Sequence, residues 1–270
     1  MKLSVVKSVS IAALSFFCHA HATLSYADLY PHNRLDTPWQ VTQSTQLDGN
    51  YRRIKLAGPI VIATGVTLTL RNCVLENVTT QNIIFSSTNS TLILDNSVLL
   101  LSDDYVFSQG VIRIKNIGEI RGEHTWHHTS QQQLIIEKDS TLLCTQNCLY
   151  YYRPTNENQH GIVFANRHAM LALHNAHIRT GAGGILLTRG ILSIRGQCTA
   201  HADNTNPAFG ILLGTGARVK DNVQFVFATP HSRLRISQPH LRERTCAPRR
   251  IWRVMTWLGI TGIGIGLGML

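Results

Sequence analysis

The side chains able to do chemistry in this chain are few and lie far apart. Asp103-Asp104 is the only adjacent acidic pair, the kind of group that holds a cation or accepts from sugar hydroxyls. The run Glu123-His124-Thr-Trp126-His127-His128 offers imidazoles, so His124, His127 and His128 form a weak candidate metal site, weak because no helical His-Glu-x-x-His frame surrounds them. Trp126 and the consecutive Tyr150, Tyr151 and Tyr152 can stack on sugars or anchor a protein; with Asp103 and Asp104 they are the expected ligand contacts. Cys144 and Cys148 stand four apart, which suits a loop disulfide or two buried small side chains, but not the Cys-x-x-Cys of redox or zinc sites.

Enzymatic chemistry asks for more than this. A polysaccharide lyase of repetitive β architecture needs clustered acids around Ca²⁺ with a nearby Arg or Lys as base, and a hydrolase needs carboxylates close together. At the points corresponding to Asp103-Asp104 in neighbouring repeats stand Thr80-Gln81 and Ala182-Gly183, and Asp203 and Asp221 have no acidic neighbour. There is no phosphate loop, dinucleotide fingerprint or Gly-x-Ser-x-Gly; the Gly181-x-Gly183-Gly184 turn reads as a corner between short strands. No catalytic residue and no cofactor is therefore assigned.

The 270 residues suffice for a large core, and their composition describes its surface: 15% charged and 44% apolar leaves an exterior of Ser, Thr, Asn, Gln and His, which suits exposed β structure. Of the net charge of +10, residues 218–253 contribute nine basic and two acidic groups, or +7. The rest is near neutral, which argues against a nucleic-acid partner.

Residues 1–22 read as a secretory signal, with Lys2 and Lys7, the apolar Val9–Phe17 and the small-x-small Ala20-His21-Ala22. The protein is thus expected to be exported, to the periplasm or the cell surface. At the other end, a basic segment (238–253) precedes an apolar tail (254–270). The tail's 17 uncharged residues fall slightly short of a bilayer core of about 30 Å, and its spaced glycines suit close-packed membrane helices or a flat strand. An anionic membrane is the expected partner of this end, and truncation after Gln238 is expected to leave a soluble, folded coil.

The elements that must position these groups are short and periodic. Apolar triplets begin at Leu68, Leu92, Ile112, Leu134, Leu171, Leu192 and Leu234, at intervals near 22 if the step of 37 includes an insertion, Tyr150–Gln159, and the step of 42 counts as two units. A second set begins at Ile60, Ile83, Tyr105, Ile162, Ile185 and Ile211, with turn-forming links between the two sets. Asn72, Asn96, Asn116 and Asn175 fall two residues after four of the first triplets, where a sharp corner needs the left-handed conformation; Lys138, Gly196 and Gln238 are the exceptions. Strands this short and even exclude a sandwich, and the lack of intervening amphipathic helices excludes βαβ units. One coil buries too little apolar surface to offset the ordering of its residues, so stability must come from stacking on its neighbours.

Residues 59–237 resemble right-handed parallel β-helices of the pectin-lyase-like architecture, found in polysaccharide-degrading enzymes, phage tailspikes and bacterial surface proteins. The resemblance implies an all-β, single-stranded right-handed parallel β-helix (solenoid) of about seven rungs, with residues 23–58 as an N-terminal cap segment. It is specific to an architecture and not to an activity. The function expected from the scarcity of carboxylates is a non-catalytic exported surface or envelope scaffold, of adhesion type, that contacts a glycan or a surface protein. A polysaccharide lyase or hydrolase of the same fold is the alternative.

Overall fold

The computed structural model describes residues 22–25, 34–35, 37–129, 132–153, 161–181, 185–187, 189–203, 211–213, 223–237 and 244–246. Their strands, apart from the antiparallel last one, stack in parallel as a right-handed β-solenoid with no helix. β1 (Ala22–Ser25) and β2 (Arg34–Leu35) come first. The turns then run β3 (Trp39–Val41), β4 (Thr45–Asp48), β5 (Arg53–Leu56); β6 (Ile60–Ile62), β7 (Thr67–Arg71), β8 (Val74–Val78); β9 (Ile83–Phe85), β10 (Thr91–Leu101); β11 (Tyr105–Phe107), β12 (Val111–Arg121). They continue β13 (Thr125–Thr129), β14 (Gln133–Ile136), β15 (Thr141–Thr145); β16 (Leu149–Arg153), β17 (Ile162–Phe164), β18 (Met170–His174). Beyond these lie β19 (His177–Thr180), β20 (Ile185–Leu187), β21 (Gly190–Arg195); β22 (Gln197–Ala202), β23 (Ile211–Leu213), β24 (Val223–Phe227); β25 (Arg233–Ser237) and β26 (Arg244–Cys246).

Each turn has three faces. Face 1 begins with the ladder β3-β6-β9 and continues as β11-β13-β16-β19-β22-β25. Face 2 stacks β4, β7, the first half of β10, the first half of β12, β14 and β17. Face 3 stacks β5, β8, the second halves of β10 and β12, β15, β18, β21 and β24. Inward positions carry Leu, Ile and Val that are almost wholly buried, such as Leu68, Leu70, Leu92, Leu94, Ile112 and Ile114, each contributing about 1.5–3 kcal/mol of transfer free energy.

Three features differ from the sequence reading. Residues 39–56 already form a turn paired in register with the next, so the solenoid starts before residue 59, inside the segment read as a cap. Tyr150–Tyr152 belong to strand β16 and are not part of an insertion; β16 pairs with β13 and β19. The apolar triplets also change face along the chain. Those at Leu68, Leu92, Ile112 and Leu134 lie on face 2, those at Leu171 and Leu192 on face 3, and the one at Leu234 on face 1. The step of 37 is thus one turn plus a shift of one face.

The asparagine positions are corners. Asn72, Asn96 and Asn116 have φ of 49°, 50° and 56° between faces 2 and 3, and Asn175 has φ of 47° between faces 3 and 1. Two of their amides bind across turns to aspartates: Asn116 Nδ2 donates to Asp95 Oδ1 at 2.6 Å, and Asn72 Nδ2 to Asp48 Oδ1 at 3.5 Å; Asn175 Oδ1 instead accepts from the Gln197 N–H at 2.9 Å. Gly196, an exception to the asparagine pattern, is itself left-handed with φ of 72°, and a Cβ there would stand 2.0 Å from Asn175 Oδ1. All but Ala22 of the segment 1–22 read as a secretory signal, most of the basic segment 238–253 and the tail 254–270 lie outside the described residues. Among the described residues no helix is long and apolar enough to cross a membrane.

Candidate functional site on face 1

Period-2 alternation decides which side chains of face 1 meet solvent. Trp126, Tyr150 and Tyr152 point inward and are at most 1% exposed, so three of the expected ligand contacts are core residues. Tyr105 and Trp126 stack at 4.4 Å between ring centroids, with Phe107, His128 and Tyr152 next to them in the same interior column. His128 is likewise buried, its Nδ1 2.6 Å from the Tyr150 hydroxyl and its Nε2 3.0 Å from the Gln132 carbonyl; burial lowers its pKa to about 4, leaving a neutral structural imidazole. Neither His128 nor these aromatic rings can reach a ligand.

The outward residues between them form a column along the axis. Val106, His127, Tyr151, Arg179, His201 and Ser237 are successive ladder partners, and Val61 and Ile84 hold the equivalent positions in earlier turns. The column is apolar over Val61, Ile84 and Val106 and polar from His127 onward. Within the polar part, the Tyr151 hydroxyl donates to Asp203 Oδ2 at 2.6 Å, and Arg179 Nε donates to Asp203 Oδ1 at 2.6 Å. The guanidinium carbons of Arg153 and Arg179 each lie 4.7 Å from the Tyr151 ring centroid. Arg153 has no carboxylate partner among the described residues.

These contacts set the electrostatics. Burial tends to raise the Asp203 carboxyl, but the Tyr151 phenol and the Arg179 guanidinium outweigh it and hold the group below its ordinary value. The same hydrogen bond to Asp203 raises the Tyr151 phenol. Asp104 is held low chiefly by the Thr125 N–H, which donates to Oδ1 at 2.7 Å, with His127 Nε2 3.5 Å from Oδ2. A glycosidase acid needs a raised pKa and a second carboxylate about 5–9.5 Å away. Asp104 and Asp203 are both low and stand four strand steps apart along the stack, at least about 19 Å at about 4.8 Å per step. They are counter-ions rather than an acid–base pair.

Three of the sequence candidates do come together. Asp103 and Asp104 precede β11, His124 precedes β13 one turn later, and one ligand atom from each lies within 4.8 Å of the others. Beside them, at the corner between faces 3 and 1, an open depression of about 690 Å³ is lined by Glu123, Gln146, Asn147, Asn175, His177 and Gln197, four amides with one carboxylate and one imidazole. Cys144 and Cys148 are free buried thiols, not a disulfide; the neighbouring Cys148 thiol and burial both push Cys144 well above its ordinary pKa. The sequence reading missed Arg153, Arg179, His177 and His201. Alternation in Leu149-Tyr-Tyr-Tyr-Arg153, His177-Ile-Arg-Thr180 and Gln197-Cys-Thr-Ala-His-Ala202 is the signal that finds them once the three runs are read as strands.

Comparison of the chain with protein-family models, with curated proteins and with solved structures gives no match.

Proposed function

We propose that the protein is a non-catalytic exported scaffold that holds a linear acidic glycan along face 1. The observation that carries this reading is Arg153: a guanidinium laid on the outward Tyr151 ring, without a carboxylate partner among the described residues, beside the charge-neutralised Arg179–Asp203 pair. An arginine pre-ordered in this way offers a planar bidentate donor to a uronate carboxylate at little further entropic cost. His127, His177 and His201 extend the polar strip, and the amides at the adjacent corner supply donors and acceptors for sugar hydroxyls. The scarcity of suitable acid–base carboxylates favours binding over hydrolysis.

The test is calorimetric titration of the mature chain with polygalacturonate and with a neutral glucan at low salt. Binding to the acidic polymer, weakened about tenfold or more in Arg153→Ala, is expected, since a hydrogen bond to a charged group contributes about 1.5–3 kcal/mol. Equal affinity for both polymers, or an unchanged variant, refutes the reading. New reducing ends or unsaturated products would instead place the protein among the polysaccharide lyases or hydrolases.

A further inference from the structure

We propose that the corner formed by Asp103, Asp104 and His124 binds a divalent first-row transition metal such as zinc. The proposal is independent of the glycan reading, because it rests on a different set of residues. Two successive turns build the corner. The chain leaves β10 through Asp103-Asp104 into β11, and one turn later leaves β12 through Glu123-His124 into β13; the pairing of β11 with β13 places the two links side by side. One oxygen from each carboxylate and one imidazole nitrogen then lie within 4.8 Å of one another.

The geometry is partly organised already. Asp104 Oδ1 accepts from the Thr125 N–H at 2.7 Å and Oδ2 faces His127 Nε2 at 3.5 Å, which fixes that carboxylate from the β13 side. Asp103 Oδ1 accepts from the Asp104 N–H at 2.8 Å, which ties the two acids into one bend and leaves Asp103 Oδ2 for a ligand. The His124 ring has no hydrogen-bond partner among the described residues, while its carbonyl is held by the Leu149 N–H at 3.1 Å. Bonds of about 2.0–2.2 Å put the donors of one metal about 3–4.3 Å apart, so rotamer adjustments of an ångström or so in exposed side chains close the set. Water completes the shell. Two carboxylates with one imidazole suit zinc or manganese better than calcium or magnesium, which take oxygen ligands alone.

Chelator-stripped mature protein is titrated with zinc chloride by calorimetry, beside His124→Ala, Asp103→Asn and the control His168→Gln, which changes an exposed imidazole on another part of the surface. The expected result is one equivalent bound by the wild type and the control, and affinity at least about tenfold weaker in both site variants, since loss of even an outer-shell partner costs about 10–100-fold. Far-UV circular dichroism of each variant establishes that it is folded. Three outcomes overturn the proposal: no zinc binding by the wild type, identical isotherms in wild type and site variants, or calcium binding as tight as zinc and insensitive to His124→Ala.

Discussion

Alternation along β13 turns His127 outward and His128 inward, and the two adjacent imidazoles acquire opposite roles. His127 faces Asp104, whereas His128 sits among Phe107, Tyr150 and Tyr152 with a pKa lowered to about 4 by burial. The folded state keeps His128 neutral, while the unfolded chain protonates it below about pH 6.5. A depressed histidine pKa means that the folded state binds fewer protons, so its contribution is fully present above pH 6.5 and is lost as the pH falls toward 4. The shift is worth about 3 kcal/mol. Urea midpoints measured between pH 7.5 and 4 should fall more steeply for the wild type than for His128→Phe, by about that amount. Parallel curves would show that another group carries the acid sensitivity. None of this was legible from the sequence, where Trp126, His127 and His128 read as one polar-aromatic loop; only the strand assignment separates a core imidazole from a surface one.

At the scale of the elements, the corners that join faces 2 and 3 were legible as asparagines because few other residues tolerate positive φ. Asn116 combines that backbone with the cross-turn bond to Asp95, and its own N–H donates to Ser140 Oγ at 2.9 Å. Glycine keeps the conformation and loses the amide bond; alanine loses both. Asn116→Ala should therefore be less stable than Asn116→Gly by about 1–2 kcal/mol, the cost of a left-handed β-carbon, as read from urea midpoints. Equal midpoints would mean that the amide–carboxylate bond alone holds the corner. The assignment of triplets to faces was not legible to the same degree. Leu134-Ile-Ile136 and Leu171-Ala-Leu173 look alike because every face of the solenoid buries the same kind of side chain, and only hydrogen-bond register shows that the first lies on face 2 and the second on face 3.

For the whole molecule, the open end of the stack is the exposed liability. Strand β26 pairs antiparallel with β25, joining Leu234 to Cys246 and Ile236 to Arg244, so residues within the basic segment 238–253 cover the last parallel strand. This reverses the outcome expected from the sequence for truncation after Gln238. Removing β26 leaves the donors and acceptors of β25 unpaired along an edge that templates association. Size-exclusion chromatography of residues 23–238 should show oligomers or aggregate, and restoring the chain through Cys246 should reduce them. A monomeric truncation would show that the outward charges Arg233 and Arg235 protect the edge unaided.

The amino-acid sequence by itself determined the architecture: short apolar strands at intervals near 22, turn-forming links and left-handed asparagines are compatible with a stacked coil and with little else. It also placed Asp103, Asp104 and His124 among the groups worth considering. Tertiary structure alone decided that these three meet, that Trp126, Tyr150 and Tyr152 fill the interior, and that Tyr151, Arg153, Arg179 and Asp203 form one outward cluster. The physical reason is that residues on one face of a solenoid are neighbours at 20 to 50 positions' separation. Which residues meet depends on the length of every intervening turn, and a one-residue change of register exchanges the inner surface for the outer.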